Sequence, residues 1–204
     1  MINLEINFFD LIKKLIFICI CFYSNSVLSE ETNFVEIIEK YWNETKTISG
    51  QFHQVLENDK IASGNFYIEK PYKSNFTYDD KLENIITTKF FINIVDSEKF
   101  LINKYPIINQ PIYKLLSEKI DLKKTFNIMS VNRVNDVIVL TLVSKNKSSN
   151  TEARINIGFN ISDYSLKNWE IIDEIGQSTY LEFTKIRKNI SIDPGLFTFK
   201  KVGK

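Results

Sequence analysis

Ile48-Ser-Gly-Gln-Phe-His-Gln54 and Ile61-Ala-Ser-Gly-Asn-Phe-Tyr-Ile-Glu-Lys70 decide how this chain folds. Both stretches alternate. Ile48, Gly50, Phe52 and Gln54 fall on one face of the first, with Ser49, Gln51 and His53 opposite. Ala62, Gly64, Phe66, Ile68 and Lys70 share one face of the second. A repeat of two is the period of a β-strand. The polar cluster Glu57-Asn-Asp-Lys60 reads as the turn between them, and Pro71 ends the second strand because it has no N–H to give a ladder.

Upstream the period is different. From Asn33 to about Thr45, Phe34, Ile37, Ile38 and Tyr41 recur at helical spacing, and Trp42 widens the apolar face. Downstream the strand pattern continues at Ser74–Tyr78, Asn84–Thr88, Phe90–Val95 and Phe100–Tyr105. Pro106 and Pro111 then interrupt it, and Ile112–Leu116 and Asp121–Thr125 read as short helical turns. Strands resume at Phe126–Val131, Val137–Val143, Ala153–Phe159, Lys167–Asp173 and Ser178–Ile186, joined by polar turns. The fold class is mainly β with an α lid. About 10–12 antiparallel strands must curl, with the N-terminal helix and the short insert covering one apolar face. A curled sheet with a helical plug encloses an apolar interior that can hold lipid.

Composition bounds the function. Of 204 residues 44% are hydrophobic and 25% charged, which suits a folded domain. With 26 basic and 25 acidic residues the formal charge is +1, so no nucleic-acid partner is expected. His53 is the one histidine and reads as a surface residue. There is no phosphate-binding glycine loop, no Gly-x-Ser-x-Gly elbow and no metal-spaced cluster. The chain is not expected to be an enzyme, and no catalytic residue, metal site or cofactor is assigned.

Residues 1–29 read as an export signal. Lys13 and Lys14 precede the nine-residue apolar run Leu15–Tyr23, too short to span a bilayer. Val27 and Ser29 suit a signal-peptidase site and give a mature start at Glu30. Isoleucine precedes both Cys19 and Cys21, so a lipid-modified cysteine is not expected, and both thiols leave with the peptide. The domain plan is therefore 1–29 signal peptide and 30–204 a single domain, exported to the periplasm.

Gly50-Gln-Phe-His-Gln54, Gly64-Asn-Phe-Tyr-Ile-Glu-Lys-Pro71 and Phe76-Thr-Tyr78 together resemble the LolA family of periplasmic carriers, which take lipoproteins to the bacterial outer membrane. The similarity runs on, in order, through Pro111–Leu116, Asp173-Glu-Ile-Gly-Gln-Ser-Thr179 and Leu196-Phe-Thr-Phe199. It implies an open, unclosed antiparallel β-barrel lidded by helices. Two departures stand out. Lys70 occupies the position before Pro71 where the family carries Arg, and Thr87-Thr88-Lys89 replaces an Asp-Gly turn.

The resemblance implies roles. An exported lipoprotein carries about three acyl chains, and at about 0.8 kcal/mol per buried methylene they cannot cross water unaccompanied. Phe52, Phe66, Ile68, Phe76 and Tyr78 are the candidate lipid-cavity wall, or else ordinary core. Ile112, Leu115 and Leu116 are the candidate lid, or else a loop with a helical turn. Lys70 is the candidate lid latch, donating to lid carbonyls as the family Arg does, or else a strand-end lysine whose amine reaches water. Partners implied are acylated lipoproteins as cargo, an inner-membrane ABC lipoprotein exporter and an outer-membrane lipoprotein acceptor, with the carrier a monomer. The alternative is a periplasmic regulatory domain of the same fold that senses lipid or lipoprotein.

Overall fold

The computed structural model describes residues 33–56, 60–80, 83–107, 110–145, 153–173 and 175–201. The export signal, its cleavage site and most of the Glu57–Lys60 and Lys145–Asn150 turns lie outside those residues. The chain divides into two units, Met1–Ile37 and Ile38–Lys204. Of the first, residues 33–37 are described and are helical. The second opens with helix α1 (38–44), on which Ile38 and Trp42 are each 1% exposed.

Eleven strands follow: β1 (Thr47–Val55), β2 (Ile61–Glu69), β3 (Lys73–Tyr78), β4 (Glu83–Thr87), β5 (Phe91–Asp96) and β6 (Leu101–Pro106) before the insert; β7 (Phe126–Val134), β8 (Val137–Ser144), β9 (Arg154–Asn160), β10 (Leu166–Ile172) and β11 (Ser178–Lys188) after it. The insert holds α2 (Pro111–Leu115) and α3 (Leu122–Thr125). A 3-10 turn, Pro194–Phe197, follows β11. All eleven strands form one antiparallel sheet in the order β6-β5-β4-β3-β2-β1-β11-β10-β9-β8-β7. β6 and β7 end the sheet without pairing to each other, so it is open. Each hairpin follows the alternation in the sequence. Several strand ends shift: β6 begins at Leu101 and takes in Pro106, where the sequence predicts an interruption, β7 and β11 run on to Val134 and Lys188, and Phe90 stays outside β5 because Thr88 N–H bonds Phe91 O across the turn.

The two deciding stretches pair as β1 and β2, and their register explains their glycines. Gly50 lies opposite Phe66 and Phe52 opposite Gly64. Each ring covers the other strand's glycine. A Cβ on Gly64 would stand 2.9 Å from the Phe52 ring and 2.0 Å from the Thr77 carbonyl oxygen, and one on Gly50 would stand 3.0 Å from the Phe66 ring. The missing side chains are the space that lets two large rings lie flat in a tightly curved part of the sheet.

That curvature can be read from ring contacts. Phe76 on β3 and Trp169 on β10 are four strand steps apart along the sheet, about 19 Å in a flat one at ~4.8 Å per step. Their ring centroids are 5.9 Å apart. The inner face has therefore closed on itself around Phe52, Phe66, Phe76, Phe183 and Trp169, with centroid separations of 4.7 Å for Phe66–Phe183 and for Trp169–Phe183. Burying each such ring contributes roughly 1.5–3 kcal/mol, which sets the core here.

Candidate functional site

The insert's backbone is tied to side chains of α1. Trp42 Nε1 donates to the Leu115 carbonyl at 2.8 Å, a fully buried bond. Asn43 bonds Ile120 in both directions, Nδ2 to its carbonyl at 2.7 Å and Oδ1 from its N–H at 2.8 Å. Glu39 Oε2 accepts the Leu122 N–H at 2.7 Å. Helices as short as α2 and α3 do not hold by propensity alone, so these bonds and the burial of Ile112, Leu115, Leu116 and Leu122 define them. α1 and the insert form one cap. The Trp42 ring seats it edge-on against Phe159 of β9, centroids 6.0 Å apart.

Between this cap and the inner face of β3, β4, β5, β10 and β11 is a cavity of about 300 Å³. Phe76, Ile85, Ile92, Ile107, Ile112 and Leu116 give it an apolar lining, with Trp169, Ile171 and Leu181 on the far wall. Its polar groups are few and mostly paired with each other. Tyr78 Oη donates to Gln54 Oε1 at 2.6 Å, and the Ser74 and Thr87 hydroxyls lie 2.7 Å apart. Burial pushes the Tyr78 phenol up to about 12, so it stays neutral. A wall of this kind binds by area and makes few directional demands.

The sequence-derived candidates separate in space. Phe76, Tyr78, Ile112 and Leu116 line the cavity. Phe52, Phe66 and Ile68 share the same sheet face, but each is 0% exposed and absent from the lining, the two rings being packed into the aromatic cluster. Leu115 is also off the cavity; its carbonyl takes the Trp42 bond. The β4, β5 and β10 contributions were not singled out from the sequence, because Ile85, Ile92 and Trp169 alternate as any core residue does.

Lys70 follows β2 at the cap. Its Nζ donates to the Trp42 carbonyl and stands 5.3 Å from the Trp42 ring centroid. The acceptor is thus on α1 and not, as the resemblance implies, on the Ile112–Leu116 lid; the link to α2 passes through the Trp42 indole. Burial lowers the Lys70 amine to about 8. Beyond Pro71 the backbone makes a direct tie to the insert, Tyr72 N–H to Leu116 O at 2.8 Å. His53 is exposed, with Nδ1 2.9 Å from Ser63 Oγ, and Asp173 Oδ1 accepts two N–H groups of its own turn. No group of His, Cys, Asp and Glu among the described residues could hold a metal ion.

The site is thus an apolar cavity beneath a cap on an open antiparallel sheet. Residues 43–200 match the family described as outer membrane lipoprotein carrier protein LolA, and the chain belongs to that family. An outer-membrane lipoprotein carrier protein of Nitrosospira multiformis is 23% identical over 178 residues, 79% of this chain and 82% of that one. Its counterpart in Legionella pneumophila strain Paris is 25% identical over 196 residues, 92% and 95% of the two chains. Among solved structures, a LolA superfamily protein of Nitrosomonas europaea aligns over 80% of this chain and 97% of its own with a TM-score of 0.42 at 8% identity.

Proposed function

We propose that this protein is a periplasmic, non-enzymatic carrier that takes up the acyl chains of lipoproteins leaving the inner membrane and delivers them to an outer-membrane acceptor. The observation that carries the reading is the apolar cavity of about 300 Å³ beneath a hydrogen-bonded cap, in a chain of the LolA family. That volume is at the lower end of the ~300–1,000 Å³ of drug-sized ligand pockets. Three acyl chains need more room, so loading lifts the cap and exposes the lining of α2 together with the sheet. Lys70 at the Trp42 carbonyl resists that lift, and the few paired polar groups leave acyl chains free to slide in and out.

In this reading residues 1–29 are removed on export and the mature chain begins at Glu30. Cargo comes from an ABC exporter in the inner membrane. Binding follows buried area and is insensitive to salt, since acyl chains carry no charge. The test is to incubate spheroplasts, or proteoliposomes bearing the exporter, with the exported protein and assay the supernatant. A soluble one-to-one complex with acylated lipoprotein is expected, and none with cargo that lacks acyl chains. Equal pickup of unacylated cargo, or no release at all, refutes the carrier and favours a lipid-sensing role.

A further inference from the structure

We propose that the β5–β6 edge of the sheet is a docking surface for an anionic phospholipid bilayer. β6 ends the sheet, and residues 102–106 are exposed on both of its faces. Ile102 is 53% exposed, Tyr105 51%, and Phe90 in the turn before β5 53%. Such an edge is a liability in water unless something covers it.

The charges beside it select the cover. Lys89 and Lys104 stand beside the exposed rings, while the acidic residues of this hairpin, Asp96 and Glu98, are at its far turn, where Asp96 Oδ1 accepts the Glu98 and Phe100 N–H groups. Lys89 Nζ stands 5.4 Å from the Phe90 ring centroid and Lys104 Nζ 5.0 Å from that of Phe91. Exposed rings with lysines laid over them match the headgroup layer of a membrane, where aromatics sit at the boundary and ammonium groups meet phosphate. Addition of a partner's strand is the less suited alternative. The start of this edge is already occupied: Leu101 N–H bonds Lys200 O at 2.9 Å, and Lys200 pairs in parallel with Phe100.

The edge also continues the cavity wall. Ser74, Thr87, Ile92 and Tyr105 form one cross-strand row. The first three line the cavity and the fourth is exposed on β6. Docking here sets the cavity's rim on the lipid surface, where acyl chains would enter or leave. The proposal goes beyond the carrier reading and can stand or fall separately from it.

The experiment is co-sedimentation of the exported protein with protein-free vesicles, of phosphatidylcholine alone or mixed with phosphatidylglycerol, in low and high salt. Binding to the anionic vesicles that weakens with salt is expected. Lys89→Gln with Lys104→Gln should lower it about 25-fold, at about five-fold per lysine. Phe90→Ser with Ile102→Ser should weaken what remains in high salt. Binding of a soluble acyl probe, measured in parallel, should be unchanged in all variants, which also shows that they fold; loss of probe binding in the wild type would refute the carrier reading alone. Equal binding to both vesicle types, no binding, wild-type binding by the lysine variant, or binding only when an exporter protein is present would each overturn the proposal.

Discussion

Lys70 concentrates the physics of the site, because a cation at the end of an apolar face must find an acceptor or water. It has found the Trp42 carbonyl. Replacing it by Leu removes that donor while keeping an apolar side chain beside Trp42, so the cap should lift more readily, the lipid-filled open state is favoured and acyl cargo should leave poorly. Transfer of labelled lipoprotein from carrier to acceptor membranes measures this, and release of cargo by Lys70→Leu at the wild-type rate would mean that the amine is merely solvated. Its titration gives a second test. With the cap lifted or the chain unfolded, the amine keeps its proton to its ordinary value of 10.5; buried, it keeps it only to about 8. Below about 8 both states are protonated and the cost of burying the charge is fully present. Through the window between the two values the capped state binds fewer protons, so stability rises with pH. Denaturant unfolding from pH 7.5 to 9.5, below the tyrosine range, should show wild type gaining on Lys70→Arg, whose guanidinium does not titrate there. Parallel pH profiles would count against a buried amine.

The cap and the β1–β2 hairpin carry predictions of their own. Trp42→Phe keeps a ring against Phe159 but leaves the buried Leu115 carbonyl without its indole donor, a cost of about 1–3 kcal/mol. Amide hydrogen exchange in residues 110–116 should accelerate before that of β1 or β11. Uniform acceleration would mean that cap and sheet open together. Gly64→Ala drives a methyl group into the Thr77 carbonyl, 2.0 Å away, and should cost at least about 2 kcal/mol in thermal unfolding. The strands themselves are legible in the sequence, since Gly50 and Phe52, Phe66 and Ile68, and Phe76 and Tyr78 each recur at a period of two within their own strand. The division of the inner face is not. Phe66 and Phe76 look alike in the sequence, yet the first is sealed under Phe183 and the second borders a void. Which positions face empty space depends on where the insert rests, and its position is set by side-chain bonds from Trp42, Asn43 and Glu39, 73 or more residues away in the chain. Parity puts Lys70 in line with Phe66 and Ile68, but it does not say which helix supplies its acceptor.

For the molecule as a whole, cargo binding is insensitive to salt whereas membrane docking weakens with it, which separates them experimentally. The central claim is that acyl chains occupy the space between the cap and β3–β5. A photo-crosslinking amino acid in place of Ile92, which lines the cavity, is compared with one in place of exposed His53 on the opposite face of the sheet. Each variant is loaded with lipoprotein carrying isotope-labelled acyl chains, irradiated, and analysed by mass spectrometry of its peptides. Labelled acyl adducts at position 92 and none at position 53 are expected. A soluble complex that forms normally but gives no adduct at position 92, or equal adducts at both positions, would contradict the account.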